Sequence, residues 1–325
     1  MANKDILSGE GKLLVSSSPH IRAQETVDWL MWQVVIALLP AVIVSIYFFG
    51  FRSFYLILLG TLAAVITEAA IEKAMGKDIT IKDGSAVVTG LLLAFNLPAT
   101  APWWLVIIGS VFAIAVVKQT FGGLGYNFIN PALTARAFLL AAWPQYVAGN
   151  FPLPLDTVTG ATPLAVLKGT AAGTLPTYGD LFWGNVGGVL GETSAVALLA
   201  GGLYLIYLEV IDWRTPLSFI CTVAAFTWVF GGSGGLFTGD PLFHVLAGGL
   251  ILGAFFMATD YVTSPVTPLG RVVFGVGCGL ITVLIRLWGD YPEGVSYSIL
   301  LMNLLVPFIE RWTAPRVYGM QPMQG

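Results

Sequence analysis

Charge is what this sequence lacks most. Asp, Glu, Lys and Arg supply 10% of its 325 residues, against about 25% in soluble domains. Hydrophobic residues supply 56%, and mean hydropathy is +0.82. Composition alone excludes an ordinary soluble domain and leaves a membrane protein. The net charge of -3 offers no basic excess for nucleic acid or an anionic surface. Cysteine is nearly absent as well. Cys221 and Cys278 stand in apolar runs with no C-x-x-C pair. That excludes a disulfide framework and an iron–sulfur cluster held by this chain alone. Two small buried hydrophobes are expected, with a half-site shared with a neighbouring protein as the alternative. His20 and His244 are isolated, so no metal site is expected. There is no Walker A loop, no HExxH and no Ser/His/Asp constellation, so no catalytic residue is assigned. FGVGCGL has a G-x-G pattern but lies inside an apolar run without a preceding strand, which excludes a dinucleotide fold. The first 28 residues are polar and are expected to carry no cleavable leader.

What is there is apolar length. Ten runs read as spans: 30–49, 54–71, 85–97, 103–117, 128–142, 194–211, 217–230, 241–258, 271–287 and 296–308. The third and fifth fall below the ~20 residues that a straight span wants. With the N-terminus inside, eleven basic residues fall on inside segments. Only Arg52, Lys168 and Arg286 fall outside, and Arg136 lies within the fifth run. This is the asymmetry of the positive-inside rule. It predicts cytoplasmic termini and places the polar stretch 143–193 on the outer face.

The halves 1–142 and 194–325 echo each other. GLLLAFNLPATAPWW and GLILGAFFMATDYVTSPVTP each break after an apolar run. GGLGYNFINPAL and VSYSILLMNLLVP share aromatics, an Asn and a Pro in one order. Five spans per half is odd, so the expected fold is all-α, with about ten helices in two inverted five-helix repeats and broken helices. Asn96, Thr100, Asp260, Thr263 and Ser264 are the polar groups at the breaks. They either satisfy the freed backbone or line a flavin or ion site.

Arg136 is the only basic residue deep in a run, near Asn127 and Asn130. It costs a few kcal/mol there unless paired or facing a cavity. It pairs with helix carbonyls or a neighbouring protein, or it contacts an anion or flavin. Glu68 is expected to reach the interface. Gly275 and Gly279, like Gly249 and Gly253, are spaced for close helix packing.

The polar stretch carries DTVTGATPL at 156–164. Thr162 suits a helix N-cap, Pro163 the first helical position and Gly169 the end. Backbone N–H groups of Leu164 and Ala165 would face a phosphate there. Gly160 and Ala161 leave room beside the hydroxyl. Residues Asp156 to Thr162, with Thr159, Gly160 and Ala161 between, resemble the D-x-x-[ST]-G-A-[ST] signature of flavin transferases of the ApbE type. A chance match is expected in roughly one per thousand chains of this size. GGLGYNFINPA, FFMATDYVTSP and ILLMNLLVP resemble the D subunits of the Rnf electron-transport complexes (RnfD), whose sister is the B subunit of the sodium-pumping NADH:quinone reductase. Tyr261 stands where that family has Pro.

The resemblance implies FMN joined by a phosphoester to Thr162. Electrons would pass between ferredoxin and NAD⁺ with Na⁺ or H⁺ moved outward across a bacterial or archaeal cytoplasmic membrane. It implies the A, B, C, E and G subunits of an Rnf complex as partners, the last of these nearest, and a transferase for maturation. It also implies a noncovalent flavin such as riboflavin near the helix breaks. A urea-channel-like transporter is the alternative from another class, on architecture alone.

Overall fold

The structure, a computed structural model, describes residues 25–148, 151–152, 159–192, 194–232 and 235–315. Helices dominate it. In chain order they are α1 (Val27–Phe49), α2 (Phe51–Ala74), α3 (Ser85–Phe95), α4 (Trp103–Phe112), α5 (Pro131–Ala142), α6 (Pro144–Val147), α7 (Pro163–Leu167), α8 (Tyr178–Trp183), α9 (Ala195–Tyr207), α10 (Arg214–Phe230), α11 (Pro241–Leu246), α12 (Leu250–Leu252), α13 (Pro268–Trp288) and α14 (Val295–Thr313). α4 continues as a π-helical segment, Ala113–Gln119, and α12 as another, Gly253–Met257. Among the described residues, the departures from all-α are an antiparallel pairing of Phe151–Pro152 with Thr159–Gly160 and an isolated Pro98↔Val189 bridge.

Among the described residues, three helices, α1, α2 and α13, are long and apolar enough to cross a membrane. Their starts follow local chemistry. Thr26 and Thr267 each accept a hydrogen bond from the third helical N–H, satisfying a donor that a helix start leaves open. Pro268, Pro163 and Pro241 each open a helix, where a missing N–H is harmless. The shorter helices stop where breakers stand. α3 ends at Asn96, two residues before Pro98.

Small residues set the packing. α2 meets α3 and α4, α10 meets α13, and α1 meets α9. The Gly60 carbonyl on α2 accepts from Ser110 Oγ on α4 at 2.9 Å. Gly90 on α3 lies against the same point: a Cβ there would be 2.6 Å from the Gly60 oxygen and 2.8 Å from Thr61 Cα. Backbone cannot move aside as a side chain can. Gly90→Val is therefore expected to cost about 1–3 kcal/mol or more, read as a lower unfolding temperature in detergent. Gly179→Ala, whose Cβ meets nothing nearer than 3.6 Å, should leave that temperature unchanged or higher. Gly275 and Gly279 lie against α10 at Thr215, Phe219 and Thr222, as their spacing predicts.

Four expectations need correction. The eighth run is not one helix: α11 stops at Leu246, and Gly248 turns the chain at φ 72°. Gly249 sits in that break against the Glu192 carboxylate rather than on a helix face. Cys221 is exposed, and only Cys278 is buried. Glu68 does not reach an interface. It is buried at 1% exposure against Lys118, 2.6 Å away, because an ion pair inside the bundle replaces the water it would otherwise seek.

Candidate functional site

Thr162 caps α7, and its Oγ1 accepts from the Ala165 N–H at 3.3 Å. Gly169 follows at φ 73°. The short helix is held from both sides. Leu164 is buried in a small cluster with Leu181, Val186, Phe243 and Ala247. Lys168 Nζ donates to the carbonyls of Ile285, Gly289 and Tyr291. That places a cation on the C-terminal end of α13, where the helix dipole favours it. Asp156 lies outside the described residues. Thr159 and Gly160 form one side of the two-residue pairing.

The Thr162 side chain, 5% exposed, stands in the wall of a cavity of about 280 Å³. Ala161, Leu140, Phe151, Tyr291 and Tyr297 give this cavity an apolar and aromatic lining. Arg136 and Glu293 supply its charge. Its volume lies near the lower edge of the ~300–1,000 Å³ of ordinary ligand pockets. Tyr291 and Tyr297 pair with ring centroids 5.5 Å apart.

Arg136 is paired within the chain, with side chains rather than helix carbonyls. Its Nη2 donates to Glu293 at 2.5 Å, and its Nη1 donates to Asn96 Oδ1 at 3.0 Å and Ser296 Oγ at 2.7 Å. Side-chain acceptors take the place of helix carbonyls, and a carboxylate offers the guanidinium a full opposite charge that a carbonyl lacks. The planar fork of arginine suits this task, because one charge reaches three elements. Glu192 lies 3.8 Å away.

The seven residues read as a second flavin or ion site divide among three places. Asn127, Asn130 and Asp260 line one cavity of about 80 Å³. Asn96 belongs to the Arg136 network, and Ser264 lines another cavity with Asp212 and Arg271. Thr263 Oγ1 donates to Asp260 at 3.0 Å. Much of this polarity serves the broken backbone. Asn130 caps α5 at Leu133, and its Nδ2 donates to the Met257 carbonyl at 3.4 Å. Asn303, with its amide turned to satisfy both ends, donates to Thr263 O and accepts from the Asn130 N–H, each at 3.1 Å. α5 itself begins at Pro131, so Asn127 and Asn130 precede the helix.

Glu192, Glu293, Ser296 and Tyr297 escaped the sequence reading. One signal pointed to them: a deep arginine demands acids, and YPEG at 291–294 places one directly before a helix. Among the described residues, no group of three metal-binding side chains is found.

Comparison with known proteins gives a consistent result. A sequence profile of the NQR2, RnfD, RnfE family matches residues 14–319. The chain is 56% identical over 313 residues to the D subunit of the Na(+)-translocating ferredoxin:NAD(+) oxidoreductase complex of Acetobacterium woodii, covering 95% of this chain and 96% of that one. It is 48% identical over 316 residues to the D subunit of the proton-translocating ferredoxin:NAD(+) oxidoreductase complex of Clostridium ljungdahlii, covering 94% and 96%. It is 41% identical over 329 residues to the D subunit of the ion-translocating oxidoreductase complex of Stutzerimonas stutzeri, covering 91% and 93%.

Proposed function

The chain belongs to the NQR2, RnfD, RnfE family, and from that premise we propose that it is the D subunit of a membrane-bound, ion-translocating ferredoxin:NAD⁺ oxidoreductase complex. Its share of the work is an electron relay through FMN held by a phosphoester to Thr162. The observation that carries this reading is the meeting of motif and cavity. The last threonine of the 156–162 signature stands in the wall of an aromatic-lined space that also holds Arg136.

When bound, the flavin supplies one-electron chemistry. The chain supplies placement. Thr162 fixes the attachment point at the start of α7, and Lys168 pins that helix to α13. The largely apolar walls lower the local dielectric, which strengthens every charge interaction inside. Arg136 lines the same cavity as Thr162, with its charge held there by Glu293. None of these roles needs a general acid or a nucleophile. The cavity of Asn127, Asn130 and Asp260 is different. At about 80 Å³ it is far below the usual ligand range, so a riboflavin does not fit there in this conformation.

The finer topology is part of the proposal. Ten spans form two inverted repeats, with both termini cytoplasmic and α7 on the outer face. α2 packs on α3 and α4, and α10 packs on α11 and α13. That is one contact pattern occurring in both halves, and it supports the repeat. The outer loop would face the G subunit, with the A, B, C and E subunits completing the complex and a transferase of the ApbE type attaching the flavin.

Intact-mass analysis tests the reading. Chain isolated from native membranes is expected to carry an FMN-sized addition, and Thr162→Ala is expected to lose it completely. An unmodified native chain rejects the relay.

A further inference from the structure

One buried acid has no part in the relay. Glu192 is 6% exposed, and its Oε1 has no hydrogen-bond partner. Arg136 Nη1 stands 3.8 Å from that oxygen. The guanidinium is already engaged by Glu293, Asn96 and Ser296. Arg286, the other nearby cation, directs its donors to main-chain carbonyls of Glu293, His244 and Ala247. A charged Glu192 would therefore have as its nearest cation only an arginine 3.8 Å away that is already engaged, beside an oxygen that no donor satisfies. A carboxyl in such a position keeps its proton. It is then able to donate to the Glu293 carboxylate, which shares Arg136 with it.

Charge around the two acids agrees. Burial and the neighbouring Glu293 charge hold Glu192 well above the usual carboxylate range. Burial pushes Glu293 up as well, but Arg136 and the bond from Glu192 outweigh it and hold Glu293 below its usual value. The titratable and charged groups facing the pair are Arg136 on α5, Arg286 on α13, Tyr297 on α14 and, behind Arg286, His244 on α11. None of these besides the pair itself is an acid of carboxylate strength.

Glu293 also lines the Thr162 cavity. We propose that Glu192 and Glu293 form a proton-binding site, which holds one proton between them at rest and takes a second from solvent when negative charge arrives in that cavity. The inference rests on the relay reading for the source of that charge. The balance is one electron, from the complex's reduced donor or from dithionite, against one proton that forms an O–H bond at Glu293. Arg136, released from Glu293 by that protonation, is then free to face the new negative charge. No bond to carbon forms or breaks.

Infrared difference spectra of the purified complex test this directly. At rest, a carboxylic-acid carbonyl band that shifts in D₂O is expected, and Glu192→Gln should remove it. Because Gln is neutral like the protonated acid, this variant should keep the native unfolding temperature. Reduction with dithionite should add a second such band, absent from Glu293→Gln. The flavin midpoint potential should fall as pH rises, by at most about 59 mV per tenfold change in proton concentration, and more steeply than in Glu293→Gln. A resting spectrum unchanged by Glu192→Gln overturns the proposal. So does a reduced spectrum with no added band, which can be read on the unsubstituted complex if Glu293→Gln does not assemble. A chain with no flavin at Thr162 rejects the relay and the coupling together, while the resting band still decides whether the shared proton exists.

Discussion

Lys118→Met is expected to destabilise the protein by about 3–5 kcal/mol, the usual cost of breaking a buried ion pair by removing one partner. Lys118 and Glu68 are 3% and 1% exposed, with 2.6 Å between Nζ and Oε1. Ser85 Oγ accepts from Lys118 at 2.5 Å, and Gln119 donates to Glu68 at 3.1 Å. The π-helical segment allows this. An extra residue in the turn brings neighbouring positions 118 and 119 both inward, a common use of such segments at functional places. Glu68 Oε2 already lacks a partner, so Glu68 has no reserve contact there when Lys118 goes. The measurement is the unfolding temperature in detergent. The double variant Glu68→Gln with Lys118→Met should recover most of the loss, because no charge is left uncompensated. A Lys118→Met protein as stable as the parent, or a double variant worse than the single, would show that the pair contributes little.

Arg136→Met should cost a similar ~3–5 kcal/mol, for a different architectural reason. The guanidinium joins the end of α3 at Asn96, the start of α14 at Ser296 and the loop acid Glu293. Its loss leaves Glu293, 14% exposed in its side chain, without its close cation. Arg136→Lys should rescue only part of this. One ammonium cannot span three acceptors that a planar fork reaches. Thermal unfolding of the two variants side by side gives the comparison. Equal stability of Arg136→Lys and the parent would mean that charge alone matters there.

The sequence made the helices easy to place and the site hard to assemble. Apolar length marked where helices run, since a membrane imposes one period and one length on them. Capping chemistry marked where one of them begins, at Thr162-Pro163. The break at Gly248 was missed because Gly249 was read with Gly253 as helix packing, and the Gly248-Gly249 pair was not read as a turn. Its cause is tertiary: Leu164 and Arg286 stand where a Cβ at that glycine would go. The Arg136 network was invisible for a similar reason. Asn96, Arg136, Glu192 and Glu293 lie tens of residues apart, and no local pattern ties them. Only the uncompensated desolvation of a deep arginine hinted that acids had to be near. The polar groups at the breaks were legible as a set, but their division among separate cavities was not.

The burial of Thr162 fixes an order of events. Thr162 is 5% exposed, and on a helix docked through Leu164 and clamped through Lys168 it is out of reach of another enzyme's active site. A transferase acting on it has to arrive before α7 docks, or wait for α7 to lift. Under the proposed flavin attachment, modification of Thr162 and docking of its helix would therefore compete during biogenesis. On that proposal a chain that folds too early would escape modification, and one modified in time would have its cofactor locked in by the same clamp that otherwise shuts the transferase out.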